Sequence, residues 1–469
     1  MQNLDKKAIR SGVMYTFSNF LTKGLVFLST PIFARIMSIQ AFGEYSAFTT
    51  WQALLLCILP LGLDATVARA RLDFPGKLEE YMSSVAVASV VCSRAAYGVV
   101  MLFADFFMDL FKMNMTLIHI MFVYMILYPA LTLFQARNSA EFRYKVSTAI
   151  SLSSAILSLV LAIAFSWVFE DQMLGRVIGY DGVYIVFCAV LLVYILWKGR
   201  TVKWEYIRYG LRLALPYVPH IVGIYLLASA DKLVIQELRG EEAVAFYNIG
   251  FTCAVVISML SNSVNSAMSP WLYQSLHDKN YAKIKSVNKV YVGAFVFVTV
   301  GLLVIAPEIM LIIGGEKYRQ AQGVLMPIMA GCCCNFIYTS YVNVETFLKK
   351  PGMISVGTVT TAAIKIVLNF IFVDLYGYEA AAYTTMVCYM LLLILHYGMV
   401  RHYKYHMIYD NKFNMLCAVG ICIFSLFIRM TYLSWIRLAL IVVYAVAAIV
   451  VLWKFKDQIL SLVKSVLKK

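Results

Sequence analysis

The sequence predicts an all-α integral membrane protein with about 14 transmembrane helices, and three observations predict it. Apolar stretches of about twenty residues recur along the whole chain, and about 20 residues of helix cover the ~30 Å hydrocarbon layer. Hydrophobic residues make up 62% of the 469 positions and charged residues only 14%, against about 45–50% and 25% in soluble domains. Lys and Arg crowd into every second loop. Helices and closed barrels alone satisfy their own backbone in lipid, and stretches of this length read as helices.

In chain order the spans are 12–34, 44–63, 83–104, 116–136, 148–169, 176–197, 213–236, 244–270, 287–307, 321–344, 354–373, 380–400, 413–428 and 436–453. The first follows Lys6, Lys7 and Arg10 but is too long for a secretory signal and lacks a small-x-small cleavage site, so it reads as a retained anchor. Pro31 lies inside it, and Pro216 and Pro219 open the seventh span, where proline breaks the backbone ladder. The tail 454–469 carries Phe455, Ile459, Leu462 and Val466 at helical spacing among lysines. It reads as a basic amphipathic helix on the anionic cytoplasmic leaflet. The ten cysteines lie nearly all within apolar spans, where free Cys packs as a small hydrophobe.

Alternate loops divide the cations 28 to 9. That asymmetry sets both termini in the cytoplasm. It also accounts for the net charge of +15 without nucleic acid, and no glycine-rich phosphate loop, RNA-binding signature or helix-turn-helix spacing appears.

The chain repeats itself at an offset near two hundred residues. Gly179-Tyr180-Asp181-Gly182-Val183-Tyr184 returns as Gly377-Tyr378-Glu379-Ala380-Ala381-Ala382-Tyr383. Glu141 and Lys145 return as Glu345 and Lys349, and Phe42-Gly43-Glu44-Tyr45 as Val244-Ala245-Phe246-Tyr247. The repeat predicts two six-helix lobes related by a pseudo-two-fold axis, residues 1–200 and 201–410, with 411–453 as two further helices. A site between such lobes lies near the bilayer midplane.

Three cations fall well inside spans: Lys23, Arg94 and Lys365. An isolated cation at mid-bilayer costs at least ~2.5–3.5 kcal/mol, so each should face a wet cavity or a partner. No carboxylate reads as comparably deep. Asp64 and Asp231 lie near helix ends, where they either couple transport to an ion or pair with Arg69 and Lys232. His220 reads as a core histidine, and His396, His402 and His406 do not sit at metal-ligand spacing. No cofactor or metal is expected.

Pro31-Ile32-Phe33-Ala34-Arg35-Ile36-Met37-Ser38, Phe42-Gly43-Glu44-Tyr45 and Leu61-Gly62-Leu63-Asp64 followed by Arg69 resemble the opening of bacterial polysaccharide-repeat (O-antigen, Wzx-type) flippases. Leu215-Pro216-Tyr217-Val218-Pro219-His220, Asp231-Lys232-Leu233-Val234-Ile235, Lys349-Lys350, Leu368-Asn369, Gly377 and Ala380-Ala381-Ala382 resemble later helices of the same family. That family belongs to the multidrug/oligosaccharidyl-lipid/polysaccharide exporter superfamily. The resemblance implies a V-shaped, alternating-access transporter in the bacterial plasma (inner) membrane. It implies an undecaprenyl-diphosphate-linked oligosaccharide as cargo, with membrane lipids, a polysaccharide polymerase and a chain-length regulator as partners. Lys365 stands where the family often has Asn, one turn before the Asn matched by Asn369. Lys23, Arg94, Lys365 and Asn369 are then the expected diphosphate-binding residues of a cationic cavity.

Three rivals remain. A cation-exporting drug extruder needs buried carboxylates. A lipid II flippase would share fold and cavity. A membrane polysaccharide polymerase or glycosyltransferase needs a large outer loop and a paired catalytic set, and neither stands out.

Overall fold

The computed structural model describes residues 21, 24–25, 27–141, 143–431 and 434–454. Lys23 and the expected tail helix lie outside the described residues. Every regular element among those described is a helix. They run α1 (Phe27–Ile36), α2 (Ile39–Leu56), α3 (Val67–Asp73), α4 (Leu78–Leu102), α5 (Ala104–Phe111), α6 (Met115–Leu127), α7 (Pro129–Ala140), α8 (Tyr144–Val168) and α9 (Gln172–Gly199). Then come α10 (Trp204–Ala214), α11 (Val218–His277), α12 (Tyr281–Val304), α13 (Ala306–Gly314), α14 (Gln322–Phe347), α15 (Pro351–Tyr376), α16 (Ala380–His402), α17 (Asn411–Met430) and α18 (Trp435–Lys454).

Among the described residues, ten helices are long and apolar enough to cross a membrane. Local chemistry sets their ends. Ser38, Asn114, Asp171 and Asp410 each accept a hydrogen bond from a first-turn backbone N–H, the usual N-cap device. The fourth span breaks in two because Pro129 starts a new helix at its first position. The seventh and eighth spans run on as α11, and Gly240 at φ 79° makes the whole break between them. Only glycine takes that backbone conformation without strain.

The chain forms two compact units. The first holds residues 1–252, 313–315 and 355–381. Its hub is α9, packed on α8, α4, α6 and α7. Gly175 and Gly179, a G-x-x-x-G pair, let α9 touch the α8 backbone at Phe165 and Ala162. Close approach through small residues is how helices associate where no hydrophobic drive exists. Further along the same face of α9, Val186, Val190, Val193 and Trp197 are exposed and apolar, as a lipid-facing surface requires. The second unit holds residues 253–312, 316–354 and 382–469. Its centre is α14, buried along most of its length against α17 and α12.

Two features of the first unit bear on the repeat. Ser46 and Asn248 occupy equivalent places in the two repeats, and Asn248 Nδ2 donates to Ser46 Oγ at 2.8 Å. One turn earlier, Gly43 lies against the backbone of Glu241 and Ala245, its own repeat equivalent. A Cβ at Gly43 would overlap the Glu241 carbonyl. Gly43→Ala should therefore force α2 and α11 apart and cost about 1–3 kcal/mol. A parent-like thermal midpoint for the purified variant would contradict this packing.

The connection after α9 is not a plain loop. Its α10 buries Tyr206, Ile207, Gly210 and Ala214. Tyr209 donates to Asp73 at 2.6 Å and Lys203 to Glu80 at 2.5 Å. The Tyr209 hydroxyl and the Arg69 guanidinium hold the Asp73 carboxyl below its ordinary range.

Candidate functional site

The first unit encloses a charged cluster on α11 and α15. Asp231 lies nine residues before Gly240, ~13 Å of helix from the break at 1.5 Å per residue. Lys365 and Asn369 are one turn apart on α15 and so share a face. Lys365 Nζ donates to Asp231 Oδ2 at 2.7 Å and to the Leu227 carbonyl at 2.7 Å. Asn369 Nδ2 donates to Asp231 Oδ1 at 2.5 Å, and the Tyr247 hydroxyl donates to Oδ2 at 2.6 Å. All four side chains are buried, with Asp231, Lys365 and Asn369 at 0% exposure. Tyr247 comes from beyond Gly240, so the cluster ties both arms of that break to α15.

This placement corrects three expectations. Lys365 is not an open cavity cation, because its charge is neutralised by Asp231. Asn369 serves that carboxylate and is closed to solvent. Asp231 makes its ion pair with Lys365, across 134 residues. The physical reason is geometric: adjacent helix residues point apart, while Asp231 faces α15.

The remaining expected site residues are scattered. Arg94 is exposed on α4 and makes no ion pair among the described residues. It interrupts an exposed stripe formed by Val91, Gly98 and Leu102. Asp64 sits in a 3-10 turn, Leu63–Thr66, half-buried. Arg69, expected beside it, bonds Asp73 at 2.9 Å instead, at the favourable i, i+4 spacing. Lys23 lies outside the described residues. The Nδ1 of His220 has no partner among them.

Further buried ionisable groups stand outside the sequence expectations. Asp181 of α9 is 2% exposed and accepts from Gln52 Nε2 at 2.9 Å. Glu345 of α14 and His396 of α16 form a fully buried pair, Oε2 to Nδ1 at 2.8 Å, in the second unit. Deep carboxylates are thus present, contrary to the sequence reading. Asp181 and Glu345 each lay in a repeated motif, which was the available signal. Arg176, counted as a loop cation, is buried with its guanidinium 3.7 Å from the Phe33 ring centre and 3.6 Å from that of Tyr45. Stacking of this kind stabilises a desolvated cation.

Residues 8–276 match the family model described as polysaccharide biosynthesis protein. Lsg locus putative protein 1 of Haemophilus influenzae is 20% identical over 369 residues, 74% of this chain and 87% of that one. The probable low-salt glycan biosynthesis flippase Agl15 of Haloferax volcanii is 22% identical over 179 residues, 37% of this chain and 38% of that one. The structure superposes on lipid II flippase MurJ in its inward closed conformation with TM-score 0.70, at 15% identity, covering 95% of this chain and all of the other. An inward-facing MATE family transporter of the MOP superfamily gives TM-score 0.59, at 14% identity over 85% of this chain and 98% of that one. Fold and comparisons define a multi-pass α-helical membrane transporter of the flippase kind, not an enzyme. The chain belongs to the polysaccharide biosynthesis protein family.

Proposed function

We propose that this protein carries undecaprenyl-diphosphate-linked oligosaccharide repeat units, for O-antigen, capsule or exopolysaccharide, from the cytoplasmic to the outer leaflet of the bacterial plasma membrane. The family match over residues 8–276 carries the reading. The 28 to 9 cation asymmetry supports cytoplasmic termini. The repeat supports two lobes, 1–200 and 201–410, working by alternating access around a midplane site. The lipid tail stays in the bilayer while the charged head and sugars cross through water. Arg94, and Lys23 in the first span, supply the counter-charge. With Lys365 neutralised by Asp231, the buried pair acts as a strap on α11 and α15, and ion coupling at Asp231 requires that the strap open. A strain lacking the gene should accumulate lipid-linked repeat units on the inner leaflet, and the intact chain should clear them. Unchanged distribution in the deletion strain would remove this reading.

A second reading, cation export, draws on Asp181, a buried carboxyl whose hydrogen-bond donor is the neutral Gln52 amide. It requires that overproduction lower cellular accumulation of organic cations and that Asp181→Asn abolish the effect.

A further inference from the structure

One strongly charged surface has no part in the clusters above. On α10 the residues Trp204, Arg208 and Arg212 recur every four positions, so they stand in one line along the helix. All three are exposed, and neither arginine makes an ion pair among the described residues. The line continues into Leu215 and Pro216 at the foot of α11, both exposed. These residues and Tyr209 line a groove of about 850 Å³. Glu205 also lines the groove, leaving two guanidinium groups against one carboxylate. The opposite face of α10 is buried, and the Tyr209–Asp73 and Lys203–Glu80 bonds tie the helix at its flank and start, so the two arginines are held on a rigid base.

We propose that this groove is a docking site for the diphosphate head of an isoprenoid carrier lipid, taken up before the head passes between the lobes. The proposal rests on the flippase reading and adds the place where cargo is first held. Guanidinium is a planar fork that grips phosphate oxygens with two parallel bonds. Two forks one turn apart, ~6 Å along the helix axis, match two consecutive phosphoryl groups, where a phospholipid offers one. Trp204 at one end and Leu215 at the other give the line a membrane-interface character. The groove lies on the segment joining the two repeats, which the cation asymmetry assigns to the cytoplasmic side. Cargo assembled in the cytoplasm arrives from that side.

The test uses the full chain in nanodiscs, with undecaprenyl diphosphate, undecaprenyl monophosphate and phosphatidylglycerol as probes. The Arg208→Gln/Arg212→Gln variant should bind undecaprenyl diphosphate about tenfold more weakly, with phosphatidylglycerol binding unchanged. Arg208→Lys/Arg212→Lys, which keeps charge but not the fork, should fall between variant and parent. The monophosphate should bind the parent more weakly than the diphosphate. A parent-like thermal midpoint for each variant confirms that the fold is intact. Unchanged affinity for the diphosphate overturns the proposal. An equal loss toward phosphatidylglycerol also overturns it, reducing α10 to an anionic-surface anchor. If affinity is unchanged while the parent clears accumulated repeat units, docking fails and the flippase reading stands. If the arginines bind the diphosphate but the parent clears nothing, the flippase reading fails alone.

Discussion

Lys365→Met should destabilise the protein by about 3–5 kcal/mol, because it leaves Asp231 charged and buried without its counter-ion. Asp231→Leu should do similar harm by stranding the ammonium. The combined Asp231→Leu/Lys365→Met variant should recover most of the loss, since replacing a whole buried pair with apolar side chains is often neutral or better. The pair is suited to this test because both side chains are fully buried and 2.7 Å apart. Reversing it, Asp231→Lys/Lys365→Asp, should not rescue, because a carboxylate from position 365 would face the Leu227 carbonyl that now accepts from the ammonium. The measurement is the thermal midpoint and the yield of folded protein after detergent extraction. Single variants as stable as the parent would dissolve the assignment. Transport by the folded double variant then separates two roles. Lost transport marks the pair as a working part that opens during the cycle, and retained transport makes it a strut.

The pair also shows what the sequence could and could not reveal. Helices are legible because lipid demands about twenty apolar residues in a row, and the expected spans after the first overlap helices, though the second runs past the end of α2 and the seventh and eighth share α11. Asp231 was read as lying near a helix end because it stands among Lys232, Glu237 and Arg239, and a run of charges lowers hydropathy like a loop. Its partner is 134 residues away, beyond any local pattern. Neutralisation removes most of the cost that makes deep charges rare, so hydropathy misplaced the boundary. The same reasoning hid Arg176, whose cage of Phe33 and Tyr45 comes from other helices. Gly240 was invisible for another reason: one glycine at φ 79° does the work expected of a seven-residue loop. The repeat was legible as three weak matches. Only in three dimensions do Ser46 and Asn248, and Gly43 and Ala245, come together. Lys365 and Asn369 read from the sequence as open cavity residues, whereas both are buried against Asp231. One-dimensional reading gives depth in the bilayer but not the direction a side chain faces.

Arg94 now carries most of the proposed counter-charge, so Arg94→Ala should abolish transport while the protein still inserts and folds. Its situation differs from that of Lys365. The guanidinium is exposed on α4, among Val91, Gly98 and Leu102, with no ion pair among the described residues. Truncating it leaves no buried carboxylate uncompensated, so the thermal midpoint should stay near that of the parent. If α4 instead turned this stripe to acyl chains, an arginine would cost at least ~2.5 kcal/mol there, and Arg94→Leu would raise stability and leave transport intact. The two environments thus predict opposite pairs of results. Arg94→Lys adds resolution, because lysine keeps the charge but loses the fork. A cavity arginine that grips a diphosphate should tolerate lysine only in part, whereas one that merely sets the potential should tolerate it fully. Clearance of lipid-linked repeat units by the three variants, measured beside their thermal midpoints, reads out both. A stabilised, fully active Arg94→Leu protein would move the counter-charge away from α4 and leave the headgroup without the cation proposed for it.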